Sequence, residues 1–229
     1  MTETIPVKII ARIHTDFATK FGVPRQSGLV ESLRGEIVFE PDFRNPDALR
    51  GIEDFSHLWL IWQFSEAVRD KWQPTVRPPR LGGNQSMGVF ATRSPYRPNP
   101  IGLSSVRLEG VEQRPGQGTV LIVSGADLMD GTPILDIKPY LPYADCRSDA
   151  TGGFTDQVER KTLTVEVPSE LLAAIPADKR QALCDVLAQD PRPAYQKTPE
   201  RKYGLTFAGY DVRFFVRDGV LMVTEVVKI

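Results

Sequence analysis

Histidine is almost missing from this 229-residue chain, present only as His14 and His57, and cysteine only as Cys146 and Cys184. Two isolated histidines exclude a histidine-rich metal site. Cysteines that fit no C-x-x-C pattern point to neither a zinc site nor a disulfide framework and leave room for one bridge at most. No run of about eighteen apolar residues exists, so no membrane-spanning helix is expected. The N-terminus has neither the apolar stretch nor the small-residue cleavage pattern of a secretory signal, and the expected location is the cytoplasm. Net charge is near zero, at −1, which argues against holding nucleic acid by bulk electrostatics. No G-x-G-x-x-G turn follows a strand and opens a helix, so a doubly wound dinucleotide-type sheet is not indicated. Internal repeats and low-complexity tracts are absent too.

What is there is a globular composition, 41% hydrophobic and 25% charged, sufficient for one large domain or a medium domain with a small appendage. Charge is uneven along it. Between Arg69 and Arg107 stand Arg69, Lys71, Arg77, Arg80, Arg93, Arg97 and Arg107 against the single acid Asp70, a local balance of +6. Within that stretch, Gly88 to Ser105 packs Arg93, Ser94, Arg97 and Asn99 between Pro95, Pro98 and Pro100. Each proline fixes φ, removes a backbone donor and biases its predecessor toward extended backbone, so these polar side chains ride a stiff track. Guanidinium groups on such a track suit phosphate or carboxylate ligands. Phe21 to Gly28 is a second proline-arginine loop, with Arg25 and Gln26 as donors.

Period-two alternation predicts strands over Val7 to His14, Leu33 to Glu40 and Leu103 to Glu112, the last returning through a turn at Pro115 to Gly118 as Val120 to Val123. Asp47 to Ser56 reads as a short helix with Gly51 near its end. The aromatic, β-branched run His57 to Phe64 reads as a strand buried on both faces, with His57 at its entrance. Lys71 to Gln85, containing Gly82-Gly83, reads as a long irregular loop. Asp127 and Asp130 fall in a glycine-bounded turn, and Asp136, Lys138 and Tyr140 then share one face of a short strand; burying such a row demands a polar ligand or partner. After a polar linker at Asp145 to Thr155, a strand at Leu163 to Val167 and helices at Ser169 to Pro176 and Lys179 to Ala188 are expected. Asp190 to Tyr195 stops the second helix. Three strands follow, at Tyr203 to Ala208, Asp211 to Val216 and Val220 to Val227, with a hairpin at Arg217-Asp218-Gly219. The expected division is residues 1–150 and a small α+β unit over 151–229, marginal alone and packed on the first domain or a partner chain.

Four separated motifs, Phe-Gly-Val-Pro-Arg-Gln at 21–26, Phe-Ser-His-Leu-Trp at 55–59, Arg-Ser-Pro-Tyr-Arg-Pro-Asn-Pro-Ile-Gly at 93–102 and Asp-Gly-Thr-Pro-Ile-Leu-Asp-Ile-Lys-Pro-Tyr at 130–140, closely resemble the TsaA-like (TrmO) family. Asp-Pro-Arg-Pro-Ala-Tyr at 190–195 is similar to the C-terminal extension of its bacterial members. The resemblance implies a mainly β protein, with a β-barrel N-terminal domain and a small α+β C-terminal domain. It implies an S-adenosyl-L-methionine-dependent enzyme that methylates the exocyclic N6 of threonylcarbamoyl-adenosine beside the tRNA anticodon, acting as a homodimer with cofactor near the subunit boundary and without metal.

Carried over by position, the resemblance places the cofactor site at Pro24, Arg25, Gln26, His57, Leu58, Arg93, Leu103, Asp127, Leu128, Met129 and Asp130. The chemistry agrees: arginines hold the methionine carboxylate, an aspartate receives its ammonium or a ribose hydroxyl, and leucines wall the adenine. For the proton that must leave the acceptor nitrogen, the candidates are Asp136, Asp130 and Tyr140, with Asn99 placed to orient the nitrogen. A non-catalytic module that binds S-adenosylmethionine or tRNA, and a methyltransferase acting on another substrate, remain open alternatives at this point.

Overall fold

The computed structural model describes residues 3–69, 71–78, 85–157, 161–193, 198 and 201–229. Asp70, Arg80, Gly82-Gly83, Ala194 and Tyr195, which figure in the sequence reading, lie outside the described residues. β1 (Ala11–His14), β2 (Arg34–Phe39) and β3 (His57–Gln63) are followed by a two-residue ribbon of β4 (Thr75–Val76) and β5 (Met87–Gly88). Next come the long β6 (Ile101–Arg114), β7 (Gly118–Ser124) and β8 (Thr132–Pro139). Six of these strands pair antiparallel in the ring order β1-β2-β7-β6-β3-β8, and the ring closes where Ala11 faces Ile134, a closed barrel. Alternation explains the closure, because every second residue must leave water: Ala11 and Ile13, Ile37 and Phe39, and Leu58 and Leu60 meet in one interior cluster.

Three sequence expectations change. Val7 is 65% exposed, and β1 starts only at Ala11, where β8 supplies a partner strand. Asp47 to Ser56 is not an α-helix but two one-turn 3-10 segments, Pro46–Leu49 and Ile52–Asp54. Gly51 at φ 83 breaks the chain between them, a left-handed conformation that no α-helix continues through. The β3 strand is buried on one face rather than two. Leu58, Leu60 and Trp62 point inward, while Trp59 lies outside against the Tyr140 ring at 5.5 Å.

A one-turn α1 (Pro142–Asp145) leads toward the second unit. There β10 (Tyr203–Phe207), β11 (Tyr210–Arg217), β12 (Val220–Lys228) and β9 (Thr164–Glu166) form a sheet in the order β10-β11-β12-β9, β9 being parallel to β12. Asp218 (φ 51) and Gly219 (φ 80) turn the last hairpin as expected. An equivalent turn at Ala208 (φ 51) and Gly209 (φ 80) ends β10 one residue earlier than alternation alone predicts. The helices α2 (Ser169–Ala174) and α3 (Arg180–Ala188) accompany this sheet, and α3 buries Ala182, Leu183, Val186 and Leu187.

The core of this second unit reaches back into the N-terminal chain. Phe17, Val30 and Leu33, from the segment between β1 and β2, are at most 3% exposed and belong to the same cluster as Leu183, Leu205 and Phe214. Lys179 pairs with Asp16 at 2.8 Å, and the Ser32 hydroxyl donates to Asp185 at 2.5 Å. Gly22, at φ 91, lies so close to Leu205 that a Cβ there would come within 2.2 Å of Leu205 Cδ1. Cys146 and Cys184 are both unpaired. No helix among the described residues is long and apolar enough to cross a membrane.

Candidate functional site

At the Gln63 end of β3, where β6 begins, the chain opens into a cleft of about 550 Å³. The loop Val23–Gln26 forms one wall. The others are Trp62–Phe64, the proline track around Arg93 and Asn99, Ile101–Leu103, and the turn Asp127–Met129. Antiparallel pairing brings these together, since Trp62 faces Gly102 across β3 and β6, and Ile134 of β8 faces Trp62 from the other side.

The proline track is stitched by its own side chains. Thr92 Oγ1 donates to the Val89 carbonyl at 2.9 Å and accepts from Ser94 N at 3.2 Å; Arg97 Nη1 donates to the carbonyls of Thr92 and Ser94 at 3.1 and 3.3 Å. Arg97 is thereby occupied in holding the loop, and Arg93 is the guanidinium left facing the cleft. It donates to Gln26 Oε1, whose own amide donates to the Arg25 carbonyl. The loop carrying Arg25 and Gln26 is fastened to the barrel by Ser105 N donating to Ser27 Oγ at 3.2 Å and Gly28 N to the Gly125 carbonyl at 2.9 Å.

Opposite Arg93 stands Asp127. The buried Trp62 indole N–H can only donate, and it donates to Ser104 Oγ at 2.9 Å; the Ser104 hydroxyl then donates to Asp127 Oδ1 at 2.5 Å. One carboxylate oxygen is thus fixed as an acceptor. Burial pushes the Asp127 pKa above its ordinary value, against the pull of the Ser104 hydrogen bond and the Arg93 charge. The cleft therefore combines a guanidinium, an amide and a recessed carboxyl with apolar walls from Trp62, Phe64, Leu103, Leu128 and Met129. That donor set fits a zwitterionic ligand with a flat apolar portion. Among the described residues no group of three or more His, Cys, Asp or Glu side chains is placed to hold a metal.

Of the residues singled out from sequence, Pro24, Arg25, Gln26, Arg93, Asn99, Leu103, Asp127, Leu128 and Met129 line this cleft. Five others do not. His57 sits at the opposite end of β3, some 20 Å away at strand rise, hydrogen-bonded to Ser56 Oγ at 3.0 Å. Leu58 is fully buried in the barrel core. Asp130 holds the end of β1, accepting from Thr15 N at 3.1 Å and meeting His14 Nδ1 at 3.1 Å. Asp136 and Lys138 do share a face, but it is the outer one: they form a 2.9 Å ion pair with side chains 46% and 63% exposed. Tyr140 packs on Trp59 and, at 6.2 Å, on His57 outside the barrel. The expected buried polar row is thus a solvated one, because a bulge in β8 opposite Ile61 and Trp62 switches its alternation: Ile134 faces Trp62 and Ile137 faces Leu60 on the inner side, which leaves Asp136 and Lys138 opposite the outward Ile61 and Trp59. Trp62 and Ser104 escaped the sequence reading. The one signal for Ser104 is a serine two residues before the core-facing Val106.

Comparison with known proteins gives a consistent pattern. Residues 12–146 match the family model described as tRNA-methyltransferase O N-terminal domain, and residues 154–229 match that of the TrmO C-terminal domain. The chain is 43% identical over 224 residues to the tRNA (adenine(37)-N6)-methyltransferase of Escherichia coli K12, covering 91% of this chain and 92% of that protein. It is 44% identical over 231 residues to a putative S-adenosylmethionine-dependent methyltransferase, RcsF, of Pseudomonas aeruginosa, covering 97% and 98%. A crystal structure of TrmO from Pseudomonas aeruginosa matches with a TM-score of 0.80 at 37% identity, covering 98% of each chain.

Proposed function

The chain belongs to the tRNA-methyltransferase O family, and on that premise we propose that it transfers the methyl group of S-adenosylmethionine to N6 of adenine 37 in tRNA. The observation that carries this reading to individual residues is the cleft, where Arg93 and Gln26 face the recessed Asp127. Arg93 and Arg25 would hold the methionine carboxylate, Asp127 the ammonium or a ribose hydroxyl, and Leu103, Leu128 and Met129 the adenine. Pro24 stiffens the loop that presents Arg25 and Gln26. When bound, the cofactor supplies an electrophilic methyl group on a sulfonium, a good leaving group. The protein's task is then alignment, and a near-attack arrangement is worth several kcal/mol.

The acceptor we infer is the N6 of threonylcarbamoyl-adenosine. An anionic threonyl group suits a cleft whose rim carries Arg93, Arg97 and Lys20. The nitrogen's lone pair is delocalised into the purine and the carbamoyl group, so it needs orientation and a late proton acceptor. Asn99 at the rim provides the first, and Glu66 and Asp127 are the carboxylates of the same chain that line the cleft. Asp136, Tyr140 and His57 stand on the outer face, where a second copy of the chain would have to bring them to a cleft. The homodimer implied by the family resemblance is proposed on that ground, and light scattering reads it. The activity is tested by incubating the protein with tRNA and S-adenosylmethionine carrying an isotopically labelled methyl group. Mass spectrometry of the nucleosides is expected to show label on N6-methylated threonylcarbamoyl-adenosine; a folded, cofactor-binding protein that labels no tRNA nucleoside contradicts the reading.

A further inference from the structure

Beside the cleft, the segment between β3 and β6 carries aromatic rings on its surface. Phe90 is 72% exposed, Trp72 49% and Tyr96 37%. The Trp72 and Phe90 rings lie 5.9 Å apart, tilted by 37°. Each exposed ring group has an arginine beside it: the Arg69 guanidinium is 4.0 Å from the Tyr96 centroid, and that of Arg97 6.0 Å from Phe90. The arrangement is braced, because the β4–β5 ribbon and the bond from Val89 N to the Pro74 carbonyl, 2.9 Å, tie the chain that follows Trp72 to the chain that precedes Phe90.

Among the described residues the cations around these rings form no ion pair with a carboxylate. Within that set, Arg69, Lys71, Arg77, Arg93 and Arg97 have no carboxylate within 4.0 Å, whereas Arg12, Arg50, Arg114, Arg192 and Arg213 each have at least one. Exposed flat rings alternating with unpaired cations are the footprint of a surface that stacks unpaired bases and contacts their phosphates. A two-fold contact centred on this patch would set like charges against one another, which favours an anionic occupant over a second copy there.

We propose that Trp72, Phe90 and Tyr96, interleaved with Arg69 and Arg97, form a stacking platform for the unpaired anticodon-loop bases that flank the target adenine. This rests on the tRNA reading above. Tyr96 and Arg97 also line the cleft, so a nucleotide held there has its neighbours within reach of the rings.

The test uses the full chain and a fluorescently labelled anticodon stem-loop. The double variant Trp72→Ala, Phe90→Ala is expected to bind it about tenfold more weakly or worse, the loss of one to two stacked bases. KM for tRNA should rise in parallel, kcat at saturating tRNA should stay within about threefold, and the affinity for S-adenosylmethionine should not change. Phe90→Trp should restore binding. A stem-loop with abasic sites on either side of the target adenine should lose affinity for the wild type but not for the double variant. Unaltered stem-loop binding by a folded double variant, or a change in its oligomeric state showing that the patch joins two copies, overturns the platform. Both outcomes leave methylation by the wild type standing; a wild type that neither binds the stem-loop nor methylates tRNA overturns the tRNA reading and the platform together.

Discussion

The carboxyl of Asp127 sits where burial disfavours its charge, and this has a measurable consequence for stability. An aspartate whose pKa is raised by folding binds more protons in the native state than in the unfolded chain, so its stabilising contribution is complete below the ordinary value of 3.8 and is lost as pH rises through the raised one. Asp127→Asn cannot ionise. In cofactor-free protein it is expected to melt above the wild type near neutral pH, with the gap closing as pH falls below 3.8; an Asn variant that melts lower at neutral pH contradicts this. Arg93→Ala removes the guanidinium across the cleft and should weaken S-adenosylmethionine binding by about 1.5–3 kcal/mol, the range for a charge-assisted contact, as read by calorimetry. Unchanged affinity in a folded variant would remove Arg93 from the cofactor site. Arg93 could be read from sequence because prolines on a short track leave few conformations. Its bond to Gln26 spans 67 residues, and no local pattern encodes it. Asp136 shows the converse: period two correctly put it beside Lys138 on one face, but not on which side of the barrel that face lies.

At the scale of the element, β3 and β6 build the cleft by laying the Trp62 indole of one strand over Gly102 of the other. A Cβ on Gly102 would lie 2.2 Å from Trp62 Cε2, so the glycine in Pro-Ile-Gly is required by the indole and not by backbone conformation. Gly102→Ala must push Trp62 from its place, breaking its bond to Ser104 and with it the fixed orientation of Asp127. The expected cost is about 1–3 kcal/mol of stability from overpacking, together with weakened cofactor binding. Denaturant unfolding checks the first and calorimetry the second; a variant as stable as wild type would show that the indole moves freely. The hairpin of β6 and β7 was legible, because alternation and a glycine turn coincide there. The run from His57 to Phe64 misled because aromatic and β-branched residues fill both faces, and only the outer packing of Trp59 on Tyr140 explains the second. Where Asp47 to Ser56 looked helical, the positive φ of Gly51 decided otherwise.

The whole molecule is held together through the segment between β1 and β2, which carries the Val23–Gln26 wall of the cleft on one side and lends Phe17, Val30 and Leu33 to the C-terminal core on the other. Composition and turn signals revealed that a second α+β unit exists, but its dependence on residues about 150 positions earlier is a tertiary fact. A fragment of residues 1–150 would expose those three side chains, each worth about 1.5–3 kcal/mol, a loss comparable to the whole stability of a domain. It is expected to melt well below the full chain and to bind S-adenosylmethionine poorly, since nothing then supports the loop at Gly22, which packs on Leu205. A fragment with full-chain stability and affinity would show that the second unit is an independent addition. The central claim, that the cleft between Arg93 and Asp127 directs a methyl group onto adenine 37 of tRNA, is tested most directly by one assay. Wild type and Arg93→Ala are given labelled S-adenosylmethionine and unmethylated tRNA, and the nucleosides are read by mass spectrometry. The account predicts label at N6 of that single adenosine with the wild type, and label from the variant reduced at limiting cofactor and recovered when cofactor is raised. Label on another nucleoside, or an Arg93→Ala enzyme indistinguishable from wild type at every cofactor concentration, would contradict it.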